Sequence, residues 1–213
     1  MKPTYMDLYE KLYNRYGAQK WWPADSDFEM MIGAILIQNT SWKNVDLAFE
    51  KLRPYLEPEK MAEMDIDELA QLIRSSGFFN IKAKRIKSFL KWFEGYDYDL
   101  ENARQVDGKE LRNELIGIHG IGRETADVIL LYALDYPVFV VDAYAQRIFN
   151  RVGYELPSSY DAFRKEIEKE LPDDLQVYNE YHALLVEHAK VHCKSKPICE
   201  RCPLEDVCEK RVE

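Results

Sequence analysis

Apolar residues recur along most of this chain at helical spacing, and the runs end at Pro and Gly. This pattern predicts helices over roughly 4–16, 27–39, 43–54, 58–62, 66–75, 80–93, 108–116, 123–134, 143–152, 160–170 and 174–191. Period-two alternation is almost absent. The apolar run at 138–141 could form a short strand, but no partner strand is visible, so a buried connection fits better. Residues 95–108 are polar and read as a loop. No internal repeat or low-complexity linker interrupts the pattern. The expectation is an all-α fold of two helical lobes.

Residues 80–93 give the clearest amphipathic helix. At about 100° per residue, Ile86, Phe89, Leu90 and Phe93 share one face. Lys84, Lys87 and Lys91 lie opposite, with Lys82 and Arg85 flanking, and no acid occurs between Arg74 and Phe93. This face qualifies the net charge of −9. A negative chain attracts phosphates weakly at long range, yet binding needs only a positive contact face. The lysines suit such a face, or simply a solvated one.

Composition adds limits rather than detail. Hydrophobic residues make up 46% of the chain and aromatics 13%, which supports a packed core and excludes wholesale disorder. The longest apolar stretches, such as 30–37, are too short to span a bilayer. The amino-terminal segment is charged and amphipathic, without the apolar core of a signal peptide. A soluble, intracellular protein without membrane association is expected.

Three features carry candidate chemistry. The first is ELIGIHGIGRETAD at 114–127, where Gly120 and Gly122 flank Ile121 ahead of an apolar helix. Glycine lets backbone approach a ligand closely, and a helix amino terminus presents unpaired N–H groups to phosphate. A hairpin of this kind clamps a DNA strand without reading its sequence; the same residues also make an ordinary tight turn. The second is Asp142, which precedes the helix bearing Arg147 and Arg151. It suits an N-cap, and the same carboxylate could activate water or stabilise a sugar cation. The third is the set Cys193, Cys199, Cys202 and Cys208, spaced C-x5-C-x2-C-x5-C and holding every cysteine of the chain. Disulfides would normally be spread through a small secreted domain, so this bunching indicates metal ligation. Four thiolates suit zinc or an iron–sulfur cluster, and spacing alone does not choose.

Together, the hairpin, the apolar helix, Val140-Val141-Asp142 and the Arg-bearing helix resemble the helix-hairpin-helix DNA glycosylase superfamily, the endonuclease III-like proteins. The resemblance covers nearly the whole chain. It implies one glycosylase unit with a six-helix lobe at about 24–134. A second lobe would comprise about 1–23 with 135–213 and include a cluster loop at 193–208. It implies a damaged base flipped into a pocket between the lobes, with Asp142 catalytic. The cysteine tail resembles the endonuclease III cluster loop with one residue fewer in the first gap, which favours a 4Fe–4S cluster over zinc. Bifunctional members carry a lysine in the hairpin that forms a Schiff base with the sugar. Glu124 stands at that position here, which implies a monofunctional enzyme.

Trp21-Trp22-Pro23, Gln38-Asn39-Thr40-Ser41-Trp42 and Gly77-Phe78-Phe79-Asn80 are similar to segments of the 3-methyladenine glycosylase branch. The resemblance implies a base pocket of Trp21, Trp22, Pro23, Trp42 and Glu124. Gln38 would fill the gap left by the flipped nucleotide, with Asn39 beside it. Phe78, Phe79 and Asn80 would wedge into the opposite strand, at least one phenylalanine serving also as core. Lys84, Gly120, Ile121, Gly122, Arg123 and Thr125 would complete the DNA contact. Lys194, Lys196, Arg201, Lys210 and Arg211 could form a second phosphate surface, and His192 reads as a surface residue or a neighbour of the metal ligands. The best-known member of that branch lacks the four cysteines. The expected partner is double-stranded DNA with a damaged base, bound by a monomer, with N-alkylated purine as the favoured substrate. The alternatives are a glycosylase with lyase activity on oxidised pyrimidines, and a non-catalytic DNA-binding module.

Overall fold

The computed structural model describes residues 2–22, 24–157 and 159–211. Over these the fold is all-α. Its helices are α1 (Tyr5–Tyr16), α2 (Asp27–Leu36), α3 (Trp42–Leu52), α4 (Pro58–Glu63), α5 (Ile66–Leu72), α6 (Phe79–Glu94), α7 (Leu100–Ala103), α8 (Gly108–Gly117), α9 (Arg123–Ala133), α10 (Ala143–Val152), α11 (Tyr160–Glu168) and α12 (Leu175–Val191). No strand occurs among the described residues. The apolar run at 138–141 is a buried, non-helical connection whose backbone finds side-chain partners instead of a ladder. Phe139 N–H donates to Glu168 Oε1 at 3.0 Å, and Val141 N–H to Tyr160 Oη at 3.2 Å.

Several elements differ from the periodicity. The polar stretch at 95–108 contains α7, a single turn that Asp99 caps by accepting from Glu101 N–H at 2.9 Å. One turn is too short to register as a period. The helix expected to reach residue 39 stops at Leu36, because the chain turns through Asn39 at φ +54°.

The chain divides into two compact units. The unit of residues 22–136 is built on α2, whose residues Phe28 to Leu36 are all buried. A helix apolar on every side must be surrounded, and α9 and α6 pack against it. Truncating a fully buried side chain there, such as Ile32, would cost about 2–5 kcal/mol. Helix α6 buries Ala83, Ile86, Phe89, Leu90 and Phe93, and α4 and α5 cover it.

The unit of residues 1–21 and 137–213 packs α1 and α10 on α12. Thr4 and Asp7 close a capping box at the start of α1. The core is aromatic: Tyr5 meets Phe149 edge-on at 5.1 Å, and Tyr181 Oη donates to Tyr5 O at 2.7 Å. No helix among the described residues is long and apolar enough to cross a membrane.

Candidate functional site

The hairpin joins α8 to α9. Arg112 of α8 grips the fully buried Asp127 of α9 through Nε–Oδ1 at 2.5 Å and Nη2–Oδ2 at 3.0 Å, a bidentate pair that sets the angle between the helices. Ile118 and Ile121 are buried beneath the turn. Gly120 has φ +84°, and a Cβ there would fall 2.3 Å from Arg85 Cγ. Gly122, the N-cap of α9, has ordinary extended backbone with open space where a Cβ would point. Glycine is therefore required by the fold at 120, whereas at 122 it leaves the approach to the α9 amino terminus open. Gly122, Arg123 and Glu124 are exposed, and Thr125 is half-buried.

Gln38 ties this turn to α2 and α6. Its Nε2 donates to Gly120 O at 3.2 Å and to Thr125 Oγ1 at 2.9 Å, while its Oε1 accepts from Arg85 Nη1. Beside it lies a cavity of about 200 Å³ lined by Gln38, Asn39, Phe78, Ile81, Lys82 and Arg85. Asn39 and Phe78 both have positive φ, at +54° and +47°, so each stands at a sharp bend. Phe78 is 64% exposed, and Asn80 is exposed. Phe79 is half-buried, with the Arg74 guanidinium 5.7 Å above its ring. Neither phenylalanine is a fully buried core residue.

The basic face of α6 is narrower than its sequence suggests. Lys84 is exposed, but Lys82 is fully buried and donates through Nζ to Leu36 O at 2.7 Å and Ser76 O at 2.6 Å. Burial lowers its pKa to about 8. Lys87 turns back to the α4 carboxy terminus and donates to Met61 O at 2.9 Å, Ala62 O at 2.8 Å and Met64 O. Long aliphatic stems let both ammoniums reach carbonyls left open where helices end. Lys91 is paired with Glu94.

The pocket tryptophans separate. Trp22 meets Trp42 at 5.0 Å and 74°, and Tyr132 at 5.1 Å and 57°, forming an aromatic group in the 22–136 unit. Tyr132 joins it from α9, about two turns along the same face as Thr125. The signal available for it was an aromatic seven residues after Thr125 in the helix that follows the hairpin. Trp21 belongs to the other unit, where its ring lies 5.5 Å from His182 at 52°. Pro23 lies outside the described residues.

Asp142 caps α10: its Oδ1 accepts from Ala145 N–H at 2.7 Å. Its Oδ2 lies 3.5 Å from Nε2 of His182 on α12, and both side chains are nearly buried. Sequence offered no signal for His182, which stands forty residues away.

The four cysteines are free thiols and line one cavity with His188 and His192. Among the described residues no group of three or more His, Cys, Asp or Glu is arranged to hold a metal ion. Burial pushes the Cys202 thiol up to about 11, and raises that of Cys208. Arg147 and Arg151 bind the loop and so are committed to it. Arg147 Nε donates to Cys193 O at 2.8 Å. Arg151 donates to Lys194 O at 2.5 Å, Ser195 O at 3.0 Å and Cys193 Sγ at 3.4 Å. His192 is buried, not a surface residue. Its Nδ1 bonds Ile198 O at 2.9 Å, and its Nε2 has no hydrogen-bond partner among the described residues. Lys194, Lys196, Arg201, Lys210 and Arg211 are exposed. Lys210 pairs with Glu205, and Arg211 with Glu155 and Glu209.

Residues 32–173 match the family described as HhH-GPD superfamily base excision DNA repair protein. The chain is 48% identical over 206 residues to a Methanocaldococcus jannaschii protein assigned to the DNA repair glycosylases, with 94% of each chain covered. It is 32% identical over 186 residues to endonuclease III of Sulfolobus acidocaldarius, covering 85% of this chain and 81% of the relative. Among solved structures, the H. pylori 3-methyladenine DNA glycosylase bound to 1,N6-ethenoadenine superposes with a TM-score of 0.77 at 29% identity. That match covers 88% of this chain and 98% of the other.

Proposed function

Because the chain belongs to the HhH-GPD superfamily of base excision DNA repair proteins and is a DNA glycosylase acting on N-glycosyl bonds, we propose that it hydrolytically releases N-alkylated purines such as 3-methyladenine from double-stranded DNA, without cutting the strand. The observation that carries this reading is the aromatic group of Trp22, Trp42 and Tyr132. N-alkylated purines are flat, positively charged and weakly bonded to their sugar. Electron-rich ring faces attract such cations, most strongly where water is displaced. The likeness to a solved 3-methyladenine DNA glycosylase supports the same substrate class.

In this proposal Asp142 is the catalytic carboxylate. The glycosidic C–N bond breaks, and the base leaves with the electron pair. Water adds to the anomeric carbon, and its proton passes to the carboxylate. The amino terminus of α10 favours negative charge at Asp142. Glu124 stands where a lyase would need lysine, and a carboxylate forms no Schiff base. Exposed Phe78 and the neighbouring Gln38 and Asn39 suit filling the stack around a flipped nucleotide. The hairpin amides, Lys84, Arg123 and Thr125 hold the strand.

The cysteine site fits a 4Fe–4S cluster. All four thiols face one cavity, His192 Nε2 is a buried polar atom left over at its wall, and Arg151 already donates to Cys193 Sγ. Cys193, Cys199, Cys202 and Cys208 would hold the cluster, which would cross-link the loop that α10 grips through Arg147 and Arg151.

The test is base release from duplexes carrying single lesions, analysed with and without alkali. Release of alkylated purine with strand cleavage only after alkali is expected. Scission without alkali, with borohydride trapping, would establish a lyase on the endonuclease III pattern. No release from any lesion would reduce the chain to a binding module.

A further inference from the structure

Asp142 has two carboxylate oxygens, and the structure gives each a different neighbour. Oδ1 is held by Ala145 N–H at 2.7 Å. Oδ2 faces His182 Nε2 at 3.5 Å, with the two side chains 12% and 5% exposed. His182 is itself enclosed. Trp21 lies 5.5 Å from its ring, and the segment that delivers Trp21 is clamped to the same helix. Gln19 N–H donates to Glu180 Oε2 at 2.7 Å and Lys20 N–H to Glu180 Oε1 at 2.9 Å, with Lys20 bent through φ +49°. Glu180 is buried two residues before His182 on α12. A buried carboxylate, two backbone amides and a tryptophan thus fix the surroundings of one imidazole.

We propose that His182 is a positioning residue for Asp142, donating Nε2–H to Oδ2, and that Trp21 serves as the cover of this imidazole. The inference rests on the reading of Asp142 as the catalytic carboxylate. A carboxylate held by one hydrogen bond rotates broadly about its last torsion. Two donors, one on each oxygen, fix its plane and leave the remaining lone pair of Oδ2 at a set direction to receive the proton of water. Hydrogen bonds of this kind are commonly long in ligand-free enzymes and shorten when substrate binds.

The experiment compares the full chain with His182→Gln, His182→Asn and Asp142→Asn. Base release is measured at single turnover on methylated duplex DNA, and affinity on a duplex with a tetrahydrofuran abasic analogue. A glutamine amide nitrogen occupies the place of Nε2, whereas an asparagine one occupies the place of Nδ1. We expect H182Q to stay within about 5-fold of wild type and H182N to fall about 50-fold, both binding the analogue with unchanged affinity. Equal rates for H182Q and H182N, whether both intact or both lost, would overturn the proposal while wild type remains active and D142N inactive. Failure of the underlying reading is seen separately, as D142N turning over at the wild-type rate.

Discussion

The side chain of Arg85 occupies the space that a Cβ on Gly120 would need, 2.3 Å from Cγ and 2.5 Å from Cδ. The same arginine donates to Gln38, which holds the hairpin through Gly120 O. Gly120→Ala therefore meets two obstacles, a positive φ and a packed side chain. It should destabilise the chain by about 1–3 kcal/mol, read by urea unfolding. Adding Arg85→Ala should recover only the packing part. Full recovery would mean that the backbone conformation is not constrained.

Lys82 links stability to alkaline pH. Burial holds its pKa near 8 in the folded chain, below the ordinary 10.5. Between those values the unfolded chain binds the extra proton, so stability rises with pH. The contribution of Lys82 is least favourable below pH 8 and improves up to about 10.5. The stability of wild type relative to Lys82→Met should therefore increase across that window, by up to about 3 kcal/mol. A flat difference would show that the ammonium is not desolvated.

The aromatic group makes a substrate-dependent prediction. Trp42→Ala or Tyr132→Ala should lower kcat/KM for release of methylated purines by about 5- to 100-fold, the range of one lost base–aromatic stack. A neutral lesion such as hypoxanthine should lose less, because only stacking and not cation attraction is removed. Equal losses for both lesions would remove the basis for a cationic substrate.

Arg151 anchors the cysteine loop by three hydrogen bonds. Purified protein should carry about four iron and four sulfide per chain. Arg151→Ala should lose its visible absorbance to a chelator several-fold faster while keeping its helical circular dichroism. Stoichiometric zinc without iron would overturn the cluster assignment.

The sequence made the helices and the hairpin legible because their signals are local. Period, caps and glycine turns are each set within a few residues. Long side chains escaped that logic: Lys87 lies on the polar side of a helical wheel yet turns back to open carbonyls, and Lys82, in line with the apolar face, is buried with its ammonium on open carbonyls. Adjacency does not reveal partners either, since Trp21 and Trp22 are neighbours in the chain but fall in different units. His182 was invisible because its meeting with Asp142 is made by the packing of α10 on α12, which no local pattern encodes.

Asp142 caps the start of helix α10, which ends at Val152, with Arg151 in its last turn holding the cysteine loop. Ten residues make a stiff rod about 15 Å long. The carboxylate at one end and the loop at the other are thus mechanically in series. Disturbance of the cysteine loop should travel along the rod as fraying and reach the aspartate from a distance. Slow turnover in cluster-depleted protein would then report a slackened support, and restoring the loop by other means should restore the rate.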